Sequence, residues 1–304
     1  MPLLFLWPKI MIKGSIVAIV TPMHEDGSLD LAAFRALIDF HVGQGTDGLV
    51  VVGTTGESPT VDVEEHELLI AEAVKHAAGR IPVIAGTGAN STREAIELAA
   101  FSKKAGADAS LTVVPYYNKP TQEGLYQHFK AIASATNLPC ILYNVPSRTI
   151  TELFPETVIR LSQIENIIGL KEASGKLEPV ARVIDDSRPG FLVYSGNDSD
   201  TLPIMAIGGY GVISVASHLV GAQIREMIES YLRGKVQEAA TIHRRLLPLV
   251  NALFVVSNPV PLKYALNKVG FSVGKPRLPL TEPDEKAAAV IDDALKNTHI
   301  DLPL

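Results

Sequence analysis

The chain has 304 residues, of which 47% are hydrophobic and 20% charged, a composition that supplies a substantial core and excludes disorder. Its 27 basic and 33 acidic side chains leave a net charge of −6 without a basic run, which excludes a face suited to nucleic acid. The single cysteine, Cys140, rules out an intrachain disulfide, the eight histidines lack HExxH or other helical metal spacing, and no apolar run reaches the roughly 18 residues that span a bilayer.

Length allows either two domains of about 150 residues or one closed α/β barrel of about 250 with an appendage. The first ten residues are apolar but lack a basic n-region and a small-residue cleavage site, so they read as an extension before a start at Met11, and the protein as cytoplasmic. From there one unit repeats: a short apolar run, a Gly/Ser/Thr-rich loop, then an amphipathic helix. The predicted strands are Ser15–Val20, Gly48–Val52, Pro82–Ala85, Ala109–Val114, Pro139–Tyr143, Ile167–Leu170, Phe191–Tyr194 and Gly211–Ser214. Most are continuously apolar, as parallel strands covered on both faces are. Between them, Asp30 is placed to cap a helix carrying Phe34, Leu37, Ile38, His41 and Val42 on one face, which should stop near Gly43 and Gly45. Ser91 and Glu94 are spaced as a capping box. This regular alternation favours an α/β fold of the closed (β/α)8 barrel type over an open doubly wound sheet. Beyond Gly234 the segments Val236–Val256, Val260–Val269 and Pro283–Lys296 read as helix, broken at Asn258-Pro259 and at Pro276 to Pro279. The expected division is an extension over 1–10, a barrel over 11–234 and a helical C-terminal domain over 235–304.

Functional groups of a barrel collect at the C-terminal ends of its strands. Lys171 directly follows Ile167–Leu170, where desolvation disfavours an ammonium and leaves a fraction of the amine free to attack a carbonyl. Such a lysine is either a Schiff-base former or the partner of Glu172 or another carboxylate. Tyr143 ends the preceding strand, where a phenol can shuttle protons or simply anchor packing. Arg148 follows in a loop stiffened by Pro146, and its planar fork suits a carboxylate as well as solvent. The loop Gly53-Thr54-Thr55-Gly56-Glu57-Ser58 offers close backbone approach and two hydroxyls for an anion, or an ordinary turn with a cap. It lacks the P-loop pattern, and Gly86-Thr87-Gly88-Ala89-Asn90-Ser91 lacks the third glycine of a dinucleotide fingerprint. Tyr116 and Tyr117 put two aromatics on the fourth loop, suited to core, interface or site.

Taken together, Gly53–Ser58, Pro115-Tyr116-Tyr117-Asn118-Lys119-Pro120, Tyr143-Asn144-Val145-Pro146-Ser147-Arg148-Thr149, Gly169-Leu170-Lys171-Glu172-Ala173-Ser174 and Gly211-Val212-Ile213-Ser214-Val215 resemble the dihydrodipicolinate synthase family. The resemblance runs from about Met11 nearly to the C-terminus. It implies a barrel with a C-terminal helical domain and a class I aldolase-type condensation of pyruvate with L-aspartate 4-semialdehyde in lysine biosynthesis, with no metal or organic cofactor. By motif, Lys171 would form the pyruvate Schiff base, Tyr143 would donate and accept protons, and Thr54 would relay them between Tyr143 and Tyr117. Tyr117 would reach across a dimer interface of a homotetramer. Thr55 would hold the pyruvate carboxylate, the carbonyl of Ile213 would lie beside the keto acid, and Arg148 would recognise the semialdehyde carboxylate. Ser58, His66, Asn90, Glu94 and Tyr116 match the family's site for L-lysine as feedback inhibitor, whereas Val63 and Pro59 depart from that pattern. Asn197 replaces a commoner aspartate. Sugar-acid relatives such as N-acetylneuraminate lyase and 2-keto-3-deoxy sugar acid aldolases share Tyr143 and Lys171 but typically lack an arginine in the Arg148 loop. A ligand-sensing barrel without catalysis is expected to have lost the lysine or the tyrosine.

Overall fold

Eight parallel strands close on themselves in chain order: β1 (Gly14–Ala18), β2 (Gly48–Val51), β3 (Val83–Gly86), β4 (Ala109–Val113), β5 (Cys140–Asn144), β6 (Ile167–Glu172), β7 (Leu192–Ser195) and β8 (Gly211–Ser214). The computed structural model describes residues 12 and 14–301, so the expected extension over 1–10 lies outside the described residues. Closure is made by β1 against β8, in register from Gly14↔Gly211 to Val17↔Ser214. The seam requires glycine: Gly211 has φ +147°, and a Cβ there would sit 2.1 Å from the Gly14 carbonyl oxygen.

Around the strands run α1 (Leu31–Gly43), α2 (Val63–Ala77), α3 (Thr92–Ala105), α4 (Gln122–Thr136), the single turn α5 (Pro146–Thr149), α6 (Pro155–Ser162), α7 (Leu177–Asp186), α8 (Thr201–Ala206) and α9 (Ser217–Leu232). The Asp30 carboxylate accepts from Ala33 N at 2.9 Å and starts α1, as its spacing predicts. Ser91 caps α3 through Glu94 N at 3.4 Å, but the fully reciprocal box is the one at α2, where Asp62 accepts from Glu65 N and Glu65 accepts from Asp62 N.

Burial follows from this layering. Ile16, Val50, Ile84, Leu111, Ile141, Tyr143, Tyr194 and Ile213 pack inside the barrel, while the opposite strand faces meet the helices. Three further helices, α10 (Val236–Ala252), α11 (Val260–Lys268) and α12 (Glu285–Lys296), extend the helical layer. Leu249, Leu262, Leu266 and Ile291 share one apolar cluster with Phe34, Leu37, Ile224 and Ile228, so these helices are fused to the barrel wall through a common core.

Two boundaries differ from expectation in ways that matter. β6 continues two residues past Leu170, because Tyr143↔Lys171↔Tyr194 and Asn144↔Glu172↔Ser195 give its backbone partners on both sides, which outweighs the weak strand preference of Lys and Glu. Helix α10 stops at Ala252 rather than Val256. Leu253 is drawn into the core, and Phe254, Val255 and Val256 form an exposed turn leading to Asn258. β-Branched valines and the restriction that Pro259 places on its predecessor both disfavour continuing the helix.

Candidate active site

At the C-terminal ends of β2 to β5 lies a cavity of about 330 Å³ walled by Thr54, Ser58, Tyr116, Tyr143, Val145 and Arg148 among others. The barrel mouth therefore gathers side chains from four strand ends, as the fold predicts. Its floor is built under strain. Val52, the residue after β2, has φ +52°, a costly conformation for a β-branched residue. Gly86 on β3 makes room for it, since a Cβ there would lie 2.3 Å from the Val52 carbonyl oxygen.

Lys171 lies within β6 rather than beyond it, between Tyr143 and Tyr194 in the sheet register. Its Nζ sits 4.4 Å from the centroid of the Tyr143 ring, and the residue is buried at 5% exposure. Among the described residues no carboxylate lies within ion-pair distance of it. Glu172, the partner that the alternative reading would give it, faces the other side of the strand, where its carboxylate accepts from Asn144 Nδ2 at 3.0 Å and from Ser174 N at 2.6 Å. Burial raises the Glu172 pKa, against those hydrogen bonds.

A buried carboxylate that feels the charge of Lys171 is Asp198. Its carboxylate takes the Ser214 hydroxyl and the backbone N–H groups of Val215 and Ala216, which holds the chain after β8 in place beside Ile213. Burial raises the Asp198 pKa, opposed by those hydrogen bonds and by the positive charge of Lys171. Ile213 itself is fully buried in the barrel interior.

The Gly53–Ser58 loop is anchored on several sides. Thr21 donates to the Gly56 carbonyl at 2.7 Å, and Glu57, in the left-handed region at φ +61°, is gripped by Lys263 Nζ at 2.7 Å and by Arg277 N at 2.8 Å. Thr54 reaches the cavity wall, while Thr55 is buried behind it and its hydroxyl accepts from Asn258 Nδ2 at 3.0 Å. Arg148 Nη2 donates to the Asn258 carbonyl at 2.9 Å, which leaves the rest of its fork at the cavity. Asn258 was visible in sequence only as a helix break. Neither it nor Asp198 carries a local signal of a role, because the contacts they make are remote in the chain.

Of the five residues of the candidate regulatory set, two, Ser58 and Tyr116, line the same cavity. Asn90 Nδ2 donates to the Tyr116 carbonyl at 3.3 Å, and both burial and the charge of Glu94 raise the Tyr116 phenol's pKa. His66 is directed inward: its Nε2 lies 2.6 Å from the Gly86 carbonyl oxygen, and burial lowers its pKa. Tyr117 does not join its own chain's cavity. It projects outward at 87% exposure with φ +73°. Among the described residues no group of three or more His, Cys, Asp or Glu side chains is arranged to hold a metal ion, and no helix is long and apolar enough to cross a membrane.

Comparison with known proteins is consistent over most of the chain. Residues 11–298 match the model of the dihydrodipicolinate synthetase family. A 4-hydroxy-tetrahydrodipicolinate synthase of Dehalococcoides mccartyi is 64% identical over 290 residues, covering 95% of this chain and 97% of the relative. Among solved structures, a lysine-bound enzyme of this type from Cyanidioschyzon merolae superposes with a TM-score of 0.93 at 44% identity, over 94% of this chain and 98% of that one. A chloride-inhibited dihydrodipicolinate synthase of Acinetobacter baumannii, solved in complex with pyruvate, gives 0.92 at 48% identity over 94% and 98%.

Proposed function

The chain belongs to the dihydrodipicolinate synthetase family, and from that premise we propose how its own residues divide the work at the barrel mouth. The protein is a pyruvate-dependent lyase that condenses pyruvate with L-aspartate 4-semialdehyde to 4-hydroxy-tetrahydrodipicolinate, in lysine and diaminopimelate biosynthesis. In the proposed mechanism the Lys171 amine adds to C2 of pyruvate and expels the carbonyl oxygen as water, leaving a protonated imine. That cation is an electron sink, so a proton leaves the methyl carbon and the resulting enamine attacks the aldehyde carbon. Displacement of Lys171 by the amino group of the semialdehyde closes the ring and frees the lysine, with one water lost over the whole reaction.

Tyr143 is the proton donor and acceptor for these steps, and the 4.4 Å between its ring and Lys171 Nζ is the observation that carries the assignment. Thr54 links Tyr143 to Tyr117, Thr55 and the Ile213 carbonyl position the keto acid, and Arg148 binds the second carboxylate. An exposed Tyr117 fits a side chain that completes the site of a neighbouring subunit, as it would in a homotetramer built as a dimer of dimers. We assign L-lysine as a regulator bound by Ser58, His66, Asn90, Glu94 and Tyr116, and the cytoplasm as the compartment. Lysine at millimolar concentration should then lower the rate, and an unchanged rate overturns that assignment. The chemistry is tested by incubating the protein with pyruvate and borohydride and mapping the product by peptide mass spectrometry. A reduced pyruvyl adduct on Lys171 is expected; folded protein without an adduct overturns the mechanism.

A further inference from the structure

We propose that Asn258 is a positioning residue for the keto-acid carboxylate, acting by fixing the direction in which the Thr55 hydroxyl donates. The inference rests on the reading that Thr55 holds that carboxylate. Asn258 lies in the turn between α10 and α11, 203 positions from Thr55 in the chain, and is buried at 4% exposure. Its Nδ2 donates to Thr55 Oγ1 at 3.0 Å in a buried contact. A threonine hydroxyl has one proton and two lone pairs. With a lone pair committed to Asn258, the proton is free to point to an anion; had the amide oxygen faced Thr55, it would have taken that proton and left only lone pairs for the carboxylate.

Two further observations separate this from packing. The Asn258 Oδ1 atom is buried with no hydrogen-bond partner among the described residues, a cost that an apolar residue of similar shape would avoid. The loop itself does not depend on Asn258 for its place, because Glu57 is held by Lys263 and by the Arg277 amide, and Gly56 by Thr21. What remains for the Asn258 side chain is the orientation of one hydroxyl. Its main-chain carbonyl does a second task, accepting from Arg148 Nη2 at 2.9 Å. One residue thus contacts both anion-recognising groups through different atoms, so a side-chain substitution disturbs one and spares the other.

The test is steady-state kinetics of the full chain with both substrates varied, for Asn258→Asp, Asn258→Ala, Thr55→Val and the double variant Asn258→Asp/Thr55→Val. An ionised carboxylate accepts and cannot donate, so Asn258→Asp should raise the pyruvate KM about 10- to 100-fold at pH 8, the scale of one hydrogen bond to a charged group. The semialdehyde KM should stay within about twofold, because the carbonyl that holds Arg148 is unchanged. On acidification the introduced carboxyl protonates, donates again, and the pyruvate KM should fall back toward that of the parent protein. In the Thr55→Val background Asn258→Asp should add nothing further. Asn258→Ala, which adds no charge, should show the same KM split without recovery at low pH, and serves if the aspartate variant does not fold. Equal movement of both KM values, an unchanged pyruvate KM, or additive effects with Thr55→Val overturn the proposal. If Thr55→Val alone leaves the pyruvate KM unchanged, it is the carboxylate role of Thr55 that fails.

Discussion

Lys171 and Lys263 are both buried, at 5% and 1% exposure, but they sit in differently furnished regions of the molecule. Lys263, on α11 behind the barrel mouth, lies 2.7 Å from Glu57 Oε1 and 2.9 Å from the Lys275 carbonyl oxygen. Burial lowers its pKa and the Glu57 carboxylate opposes that shift, so its proton is held by a matched anion. Lys171, at the mouth, has an aromatic ring at 4.4 Å and, among the described residues, no ion-pair partner. Burial alone therefore does not separate a structural lysine from the one proposed to do chemistry. A dedicated counter-ion does, since it commits the amine to being an ammonium.

The contrast breaks if the two lysines can exchange consequences. Lys171→Ala should abolish the pyruvyl adduct and lower kcat about 10⁴-fold or more, as loss of a covalent nucleophile does, with little change in thermal stability. Lys263→Met should act the other way, costing about 3–5 kcal/mol in urea unfolding because the Glu57 carboxylate is left buried and unmatched. Adding Glu57→Gln to Lys263→Met should recover part of that loss. A Lys263→Met protein with unaltered stability would remove the distinction between the two lysines.

Smaller effects sharpen the same boundary between mouth and scaffold. Arg148→Ala should lower kcat/KM for the semialdehyde about 10- to 100-fold while leaving imine formation with pyruvate intact. Equal losses for both substrates would place Arg148 in the scaffold. The scaffold should also carry the acid sensitivity of the fold. His218 and His128 have pKa values lowered by burial to about 4, and His41 is lowered well below its ordinary value, again by burial first. These groups are neutral when folded and bind protons on unfolding from about pH 6.5 downward, so their stabilisation is complete above that pH and is lost as the pH falls, toward about 4 for His218 and His128. Each contributes a slope of up to about 1.4 kcal/mol per pH unit in that window. The urea midpoint should thus drop between pH 6.5 and 5, before most carboxylates protonate, and a flat midpoint would contradict the buried, neutral state of the three rings.

Much of the barrel was legible because each parallel strand is buried on both faces and so appears as a short apolar run; the eight runs lie within about two residues of the observed strands. Tyr143, Arg148 and the Thr54-Thr55 pair were legible because strand ends and their loops are local features. Other parts were not. The two extra residues of β6 depend on pairing with β5 and β7, and the early end of α10 depends on where Leu253 is drawn into the core. Val52 shows no sequence mark of its left-handed backbone, which only the bare Gly86 opposite it allows.

The sequence by itself determined the order of βα units, the membership of the family through its motifs, and the candidates for the amine, the phenol and the guanidinium, since each is encoded within a few residues of its neighbours. The tertiary structure alone decided which polar groups of the site are matched. Glu57 meets Lys263, Thr55 meets Asn258 and Arg148 meets the Asn258 carbonyl across separations of 206, 203 and 110 residues, while Lys171 has no ion-pair partner among the described residues. Hydrogen bonds and ion pairs act over a few ångströms whatever the distance along the chain, so this division between locked and available groups exists only once the barrel has closed and the C-terminal helices have packed against it.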